Sequence, residues 1–374
     1  MQLYDQLTAG RTRFVRVDEL CRRAAELRPD LVPTEAELAA EDARALRDKL
    51  GIEKKQGAFV ADVLADPEAG AHLCHAMLLP RVDTAAHLAE YERTGSLELP
   101  GATVHRMGKA SVVTGRNPRF LNAEDGDTLD GFETAIDVAT LDAKTEICVL
   151  RGGVVEHTKH AGKRVFGAGI NLTHLYQGKI RYLWYLIRDL GLVNKLYRGV
   201  ALPDVAPEAG GVEKPWVAAL EGFAIGGHCQ ILLTMDHTIA ADDAYMTLPA
   251  RKEGIIPGAA NLRMPRFVGD KLTRQAIMNE RRFDCASPEG RMICDEIVPA
   301  GEMDRAIEAI VDRLTNAGVV SAAGNRRAIR IAQEPLDTFR RYMSVYAREQ
   351  AHCQFSPALI RNLERHWDAA NRKI

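Results

Sequence analysis

The sequence predicts an α/β core over residues 96–270, preceded by a helical domain (1–95) and followed by a helical region (271–374). Three observations carry this. Apolar residues in the first 95 positions recur at helical spacing. Short apolar runs bounded by glycine then alternate with helical stripes, the pattern of strand–helix units. Beyond Asp270 the helical pattern returns.

The elements follow in order. Thr34, with Glu37 three residues on, reads as a capping box; Ala39, Ala43, Leu46 and Leu50 continue the helix, and Gly51 fits the position just past its end. A second helical stretch runs from Phe59 to Arg93, broken near Pro80. This N-terminal region carries no catalytic motif and reads as a packing or oligomerisation domain. Thr103–Met107 and Ala110–Thr114 are expected strands, with Gly108 and Gly115-Arg116-Asn117-Pro118 as turns. Leu129, Phe132, Ile136 and Ala139 form a helical stripe, and Ile147–Leu150 a buried strand ending at Gly152-Gly153. Further strands are expected at Arg164–Phe166, Trp216–Leu220 and His237–Ala240.

Composition narrows the function. The 374-residue chain has a formal net charge of −2, so no broad basic field exists to hold nucleic acid or an anionic membrane. No apolar run reaches transmembrane length and the first residues lack a signal-peptide core, so a cytoplasmic location is expected. The seven cysteines include no CxxC pair, and core packing is expected for them, Cys229 included. His72 with His75, and His157 with His160, form HxxH pairs without flanking metal-ligand clusters; solvated or locally hydrogen-bonded histidines are the reading, and no metal site is expected.

Two segments share one plan. Arg164-Val165-Phe166-Gly167-Ala168-Gly169-Ile170-Asn171-Leu172 and Lys214 through Gln230 each run from a strand-like stretch through small residues into a helix start. Glycines permit a sharp turn and close approach of a ligand, and a helix start offers unpaired N–H groups. Two such turns facing one point would make an oxyanion hole. Neither matches the GxGxxG fingerprint or the P-loop.

With its surroundings, the pair resembles the crotonase (enoyl-CoA hydratase/isomerase) superfamily over residues 108–300. The resemblance rests on Pro118-Arg119-Phe120-Leu121-Asn122-Ala123, Ala168-Gly169-Ile170-Asn171-Leu172, Lys214-Pro215-Trp216-Val217-Ala218-Ala219, Gly222-Phe223-Ala224-Ile225-Gly226-Gly227, Met235-Asp236 and Gly254-Ile255-Ile256-Pro257-Gly258, in that order. It implies a spiral of ββα units, assembly as homotrimers or homohexamers, and an acyl-CoA thioester whose oxygen sits between the N–H groups of Ile170 and Gly227. Asn171 stands where the family usually has Asp.

The two glutamates that serve family hydratases as acid and base are replaced here by Gln230 and Ala250. An amide cannot exchange a proton near neutral pH, so hydratase chemistry of that kind is not expected. The combination resembles the cofactor-independent 3,5-dihydroxyphenylacetyl-CoA 1,2-dioxygenases of glycopeptide-antibiotic biosynthesis. The resemblance adds the N-terminal helical extension, Glu213-Lys214-Pro215-Trp216-Val217-Ala218, Gly226-Gly227 with Gln230, and Lys252-Glu253-Gly254 through Arg263. It implies an aryl-acetyl-CoA substrate, O₂ as co-substrate, and neither metal nor organic cofactor.

By the same resemblance Glu124 and Arg188 hold the two ring hydroxyls. Read as residues alone, Glu124 also fits a helix-start carboxylate and Arg188-Asp189 a surface charge cluster. Gln230 either orients the enolate or peroxide or is a buried amide satisfying its neighbours. His228 either faces the site or packs beside it, and Arg119 is either a contact for coenzyme A phosphates or an ordinary surface arginine. Two further functions remain open on the sequence. One is a thioester hydrolase or double-bond isomerase using Glu253 or Glu124; the other is a non-catalytic acyl-CoA-binding subunit.

Overall fold

The computed structural model describes residues 2–205 and 210–372. Helices at Gln2–Leu7, Val17–Leu27, Glu35–Asp42, Lys54–Ala65, Pro67–Leu78 and Thr84–Thr94 build the N-terminal region. The capping box forms as read: Thr34 Oγ1 accepts from the Glu37 N–H, and Glu37 Oε2 accepts from the Thr34 N–H at 2.8 Å. The helix it starts, however, ends at Asp42 instead of reaching Leu50. The Glu41 carboxylate accepts the N–H groups of Leu50 and Gly51 (3.1 and 3.0 Å) and folds the chain back. The expected break near Pro80 is present, but a second one precedes it. Asp66 caps the N-terminus of the Pro67–Leu78 helix, with Pro67 in its first turn.

The first strands are β1 (Ser96–Leu99), β2 (Ala102–Met107), β3 (Ala110–Gly115) and β4 (Ile147–Gly152), and a second set follows further along the chain. That set is β5 (Val200–Ala201), β6 (Gly211–Val212), β7 (Trp216–Leu220), β8 (Phe223–Ile225), β9 (His237–Ala241), β10 (Tyr245–Thr247), β11 (Phe283–Asp284) and β12 (Glu296–Val298). The main sheet has the order β1-β2-β3-β4-β7-β9-β12. It is antiparallel up to β3 and parallel from β3 onward. β3, β4 and β7 are buried along their whole length, as parallel strands covered on both faces must be, which is why they read as continuous apolar runs. A small sheet, β11-β10-β8, stands beside it, and β5 pairs with β6.

Two expectations need correction. Arg164–Phe166 is not a strand. Its backbone is extended but meets neighbouring segments at single points: Val154 bridges Arg164, Val165 donates to Gly153 O, and Phe166 donates to Glu221 O at 3.0 Å. The region beyond residue 270 is not helical alone, because β12 pairs with β9 and completes the main sheet. The Ala260–Asn279 helix also runs across residue 270, kinked at Gly269.

Helices Leu336–Gln354 and Pro357–Trp367 close the chain. The first lies against the Lys54–Ala65 helix: Ser344 Oγ donates to Ala61 O (2.7 Å) and Arg340 Nη1 to Ala65 O (2.8 Å). The two ends of the chain therefore pack on each other over the core. Among the described residues no helix is long and apolar enough to cross a membrane.

Candidate active site

The first glycine-bearing turn is pinned to the segment after the early strands. Glu124 N–H donates to Gly169 O and Asn171 N–H donates to Glu124 O, both at 2.7 Å. Asn171 caps the short Leu172–Tyr176 helix through its Oδ1, and its Nδ2 donates to Asp125 Oδ2 at 2.9 Å. That second bond explains why an amide suits the position: a carboxylate there would face another carboxylate. Gly169 has φ +76°, and a Cβ on it would lie 2.8 Å from Ile225 O and 3.1 Å from Gly227 N. Only glycine allows the two turns to meet this closely.

The second turn leaves β8 through Gly226 (φ +54°) and enters the Gly227–Leu232 helix. The N–H groups of Ile170 and Gly227 have no hydrogen-bond partner among the described residues. Each belongs to a residue on the wall of one cavity, which also takes in Arg188, Asp189, Gln230 and Glu253. Ile170 is buried and Gly227 half-buried, and unpaired N–H groups in such places are uncommon in proteins. The free volume inside is about 30 Å³, room for a water molecule or two and too little for an aryl group.

Arg188 and Asp189 are not a surface cluster; they are 3% and 2% exposed. Helices Leu183–Ile187 and Val193–Arg198 are joined by a π-helical turn over Arg188–Leu192. Such a wide turn lets adjacent side chains address the same side, and it is frequent at functional sites. Arg188 Nε and Nη2 donate to Glu124 Oε2 and Oε1, both at 2.7 Å; Nη2 also reaches Gly227 O, and Nη1 donates to Gln230 Oε1 at 2.6 Å. Gln230 in turn donates through Nε2 to Asp189 Oδ1, and Asp189 Oδ2 accepts from Tyr346 OH at 3.2 Å. The wide turn is secured by Lys195, fully buried between Glu133 (2.8 Å) and Asp137 (2.7 Å).

Burial alone would raise the Glu124 pKa, but the Arg188 charge and its paired hydrogen bonds outweigh this and hold it below the usual carboxylate range. Burial wins for Asp189, whose pKa is raised despite Arg188 beside it. His228 does not line the cavity but is buried behind it: its Nδ1 accepts from the Gly169 N–H at 3.0 Å, and Glu124 lies 3.7 Å away. Burial pushes its pKa down to about 4, so the ring is neutral and its Nδ1 is free to accept. Cys229 is fully buried and packs in the core.

The structure thus brings Ile170, Gly227, Gln230, Glu124 and Arg188 together. Glu124 stands behind Arg188 and does not line the cavity. Arg119 is not brought to it either; it is exposed on the Pro118–Phe120 turn, with its guanidinium 6.0 Å from the Phe120 ring. Three contributors were not read from the sequence as site residues: Asp189, Tyr185 and Tyr346. Tyr346 comes from the C-terminal helix Leu336–Gln354, and nothing in its local pattern sets it apart from a packing aromatic. Glu253, read only as an acid or base for a hydrolase or isomerase, sits on the wall, in the short Ala250–Glu253 helix; burial raises its pKa to about 8.

Among the described residues neither HxxH pair falls in a group of three or more His, Cys, Asp or Glu at metal-ligand spacing. His72 Nδ1 is hydrogen-bonded to Tyr4 OH at 2.6 Å and its ring stacks on Phe14. Asp125, Asp127 and His174 do have ligand atoms within 4.8 Å of one another. Asp125 is already engaged by Asn117, Asn171 and His174, so its oxygens serve to hold the first turn.

Comparison with known proteins agrees with this architecture. The chain is 46% identical over 351 residues to the (3,5-dihydroxyphenyl)acetyl-CoA 1,2-dioxygenase of Amycolatopsis orientalis, covering 94% of this chain and 80% of that protein. It is 27% identical over 235 residues to the short-chain-enoyl-CoA hydratase of Clostridium acetobutylicum, covering 62% of this chain and 82% of the relative. Among solved structures, an enoyl-CoA hydratase from Mycobacterium avium subsp. paratuberculosis superposes with a TM-score of 0.60 at 19% identity, covering 74% of this chain and 99% of that one. A carnitinyl-CoA hydratase from Mycobacterium avium gives 0.58 at 21% identity, covering 72% and 97%. The model of the enoyl-CoA hydratase/isomerase family matches residues 109–338, and with the fold and both glycine-bearing turns in place the chain belongs to that family.

Proposed function

We propose that the protein is a dioxygenase that oxidises (3,5-dihydroxyphenyl)acetyl-CoA with O₂ to 3,5-dihydroxyphenylglyoxylate and free coenzyme A, using neither a metal nor an organic cofactor. The observation that carries the reading is the pair of unpaired N–H groups, Ile170 and Gly227, on a wall where Gln230 and Ala250 stand in place of two hydratase glutamates. The similarity to the Amycolatopsis orientalis dioxygenase supports the substrate.

The chemistry follows from the substrate and these groups. The α-carbon lies between a thioester and an aryl ring, so its C–H bond is acidic. Removing that proton moves the electron pair onto the thioester oxygen, where the two N–H groups stabilise it. The electron-rich enolate passes one electron to O₂, and the radical pair joins to form a peroxide on the α-carbon. The peroxide attacks the thioester carbonyl and expels coenzyme A as thiolate. Cleavage of the O–O bond with loss of the second α-hydrogen leaves the α-keto acid. Both atoms of O₂ enter the product, and the two α-hydrogens leave as protons, one of them to the thiolate.

In this reading Arg188, with Glu124 fixed behind it, holds one ring hydroxyl. Four of its five N–H donors are engaged within the protein, leaving one on Nη1 for the ligand. Gln230 orients the enolate or peroxide through its amide, and Arg119 remains a surface contact for coenzyme A phosphates. The small cavity requires the roof, Tyr346 and residues 255–258, to move outward when an aryl group enters. Assembly as a trimer or hexamer is part of the proposal; Val320 and Ile331, 88% and 72% exposed on one face of the Val320–Gln333 helix, suit such a contact.

An oxygen electrode tests the reading. O₂ uptake matched one to one by thiol release is expected with (3,5-dihydroxyphenyl)acetyl-CoA, and neither under argon. Absence of both in air rejects the assignment. A second reading, a thioester hydrolase or isomerase, draws on Glu253 at the cavity wall and requires product without O₂. Turnover of an aryl-CoA by the purified protein alone rules out a non-catalytic subunit.

A further inference from the structure

The oxyanion turns can stabilise an enolate only after something has taken the α-proton, and the family glutamates are absent from positions 230 and 250. The ionisable groups on the cavity wall can be taken one by one. Arg188 is a cation locked onto Glu124 and Gln230. Asp189 accepts from Gln230 and from Tyr346 OH. Tyr185 and Tyr346 are phenols whose ionisation is made harder by burial. Behind the wall, both oxygens of Glu124 are held by Arg188, and His228 Nδ1 is occupied by the Gly169 N–H.

Glu253 differs from all of these. Its carboxylate has no hydrogen-bond or ion-pair partner among the described residues, and the neighbouring Lys252 is drawn away to Glu280 at 3.2 Å. The Ala250–Glu253 helix is stopped by Gly254 (φ +86°), which holds Glu253 at the helix end beside the second turn. A Cβ placed on Gly226 would lie 3.8 Å from Glu253 Oε2, so the carboxylate reaches the residue next to the Gly227 donor. A thioester oxygen bonded to both N–H groups has its α-carbon two bonds away, beside the same wall.

We propose that the Glu253 carboxylate is the base that takes the α-proton of the bound arylacetyl thioester. The α-C–H bond breaks and an O–H bond forms on Glu253; the freed electron pair makes the C=C bond of the enolate, and the carbonyl π pair moves onto the oxygen held by Ile170 and Gly227. No electron leaves the substrate in this step. The raised proton affinity of the partly buried carboxyl fits it to the task, because a base is most effective when its pKa lies near the working pH. The assignment rests on the arylacetyl-CoA reading above but not on the reaction with O₂.

The test compares wild type, Glu253→Gln and Glu253→Asp. Exchange of the α-hydrogens of (3,5-dihydroxyphenyl)acetyl-CoA is followed by mass spectrometry in D₂O under argon, and O₂ uptake is followed in air. Wild type is expected to exchange. Glu253→Gln should exchange at least ~10²-fold more slowly, the usual size of a general-base contribution, with Glu253→Asp between the two and the substrate Kd little changed. Exchange by folded Glu253→Gln within about threefold of wild type overturns the proposal. If wild type exchanges and Glu253→Gln does so at least ~10²-fold more slowly, but wild type takes up no O₂, the dioxygenase reading fails while Glu253 keeps its role. If wild type and Glu253→Gln take up O₂ at one rate, Glu253 loses its role while the dioxygenase stands. Should Glu253→Gln fail to fold, an unaltered exchange rate in Glu253→Asp counts against the proposal, because shortening the side chain withdraws the base from the α-carbon.

Discussion

Replacing Gly169 by Ala perturbs the proposed oxyanion pair without touching either donor. At φ +76° an alanine costs about 1–2 kcal/mol from its own backbone. Its Cβ would also sit 2.8 Å from Ile225 O and 3.1 Å from Gly227 N, both backbone atoms of the facing turn. That contact cannot be relieved by a rotamer change, so the turns must part, at a further cost of about 1–3 kcal/mol. The folded variant should melt at a lower temperature. Separating Ile170 from Gly227 weakens at least one donor to the developing anion, and loss of one such donor typically lowers kcat ~10²–10³-fold. Affinity for the thioester should change much less, because the interaction lost strengthens only as charge develops. The assay is O₂ uptake and thiol release at saturating substrate, with thermal melting to verify the fold. A folded Gly169→Ala protein with kcat within about threefold of wild type would refute the reasoning, since the turns would then not need to meet as they do.

Three other outcomes are expected. Arg188→Met strands the Glu124 carboxylate among buried neighbours and should cost about 3–5 kcal/mol in urea denaturation, whereas adding Glu124→Gln to it should recover part of the loss; additive effects would deny the pair. Asn171→Asp replaces a donor to Asp125 by a second carboxylate at 2.9 Å and should destabilise by about 2 kcal/mol near neutral pH, with the loss shrinking as the pH falls and one of the two protonates; a pH-independent melting difference would contradict this. Glu253 has a folded-state pKa of about 8, raised by burial, offset by Lys252 and reinforced by Glu280. The folded state therefore binds its proton more tightly than the unfolded chain, and stability falls as the pH rises between the unfolded value of about 4.3 and the folded one. Glu253→Gln removes that term, so its melting temperature should exceed that of wild type by a margin that widens from pH 5 to pH 8 and then levels off; a constant margin would refute the shift.

The reach of the sequence can be judged from particular residues. Thr34 and Glu37 announce their helix start because a capping box is satisfied within four residues, but the early end of that helix depends on Glu41 turning back onto Leu50 and Gly51. Trp216–Leu220 matches a strand in full, since a buried parallel strand must be apolar throughout. Arg164–Phe166 has the same appearance but only isolated bridges, because whether an extended segment joins a sheet is decided by its neighbours.

The same division runs through the site. The sequence by itself determined the two turns, the glycines that let them meet, the family, and the missing glutamates at 230 and 250. These are legible because backbone conformation and residue chemistry are local properties. Only the tertiary structure decided that Glu124, Arg188, Gln230, Asp189 and Tyr346 form one chain of hydrogen bonds. Tyr346 stands 157 positions from Asp189, and Glu124 stands 64 from Arg188. It also decided that a π-helical turn presents two adjacent charges to one amide, and that Glu253 is left without a partner among the described residues beside Gly226. A buried charge is fixed by what packs around it, and that packing is set by segments far apart in the chain.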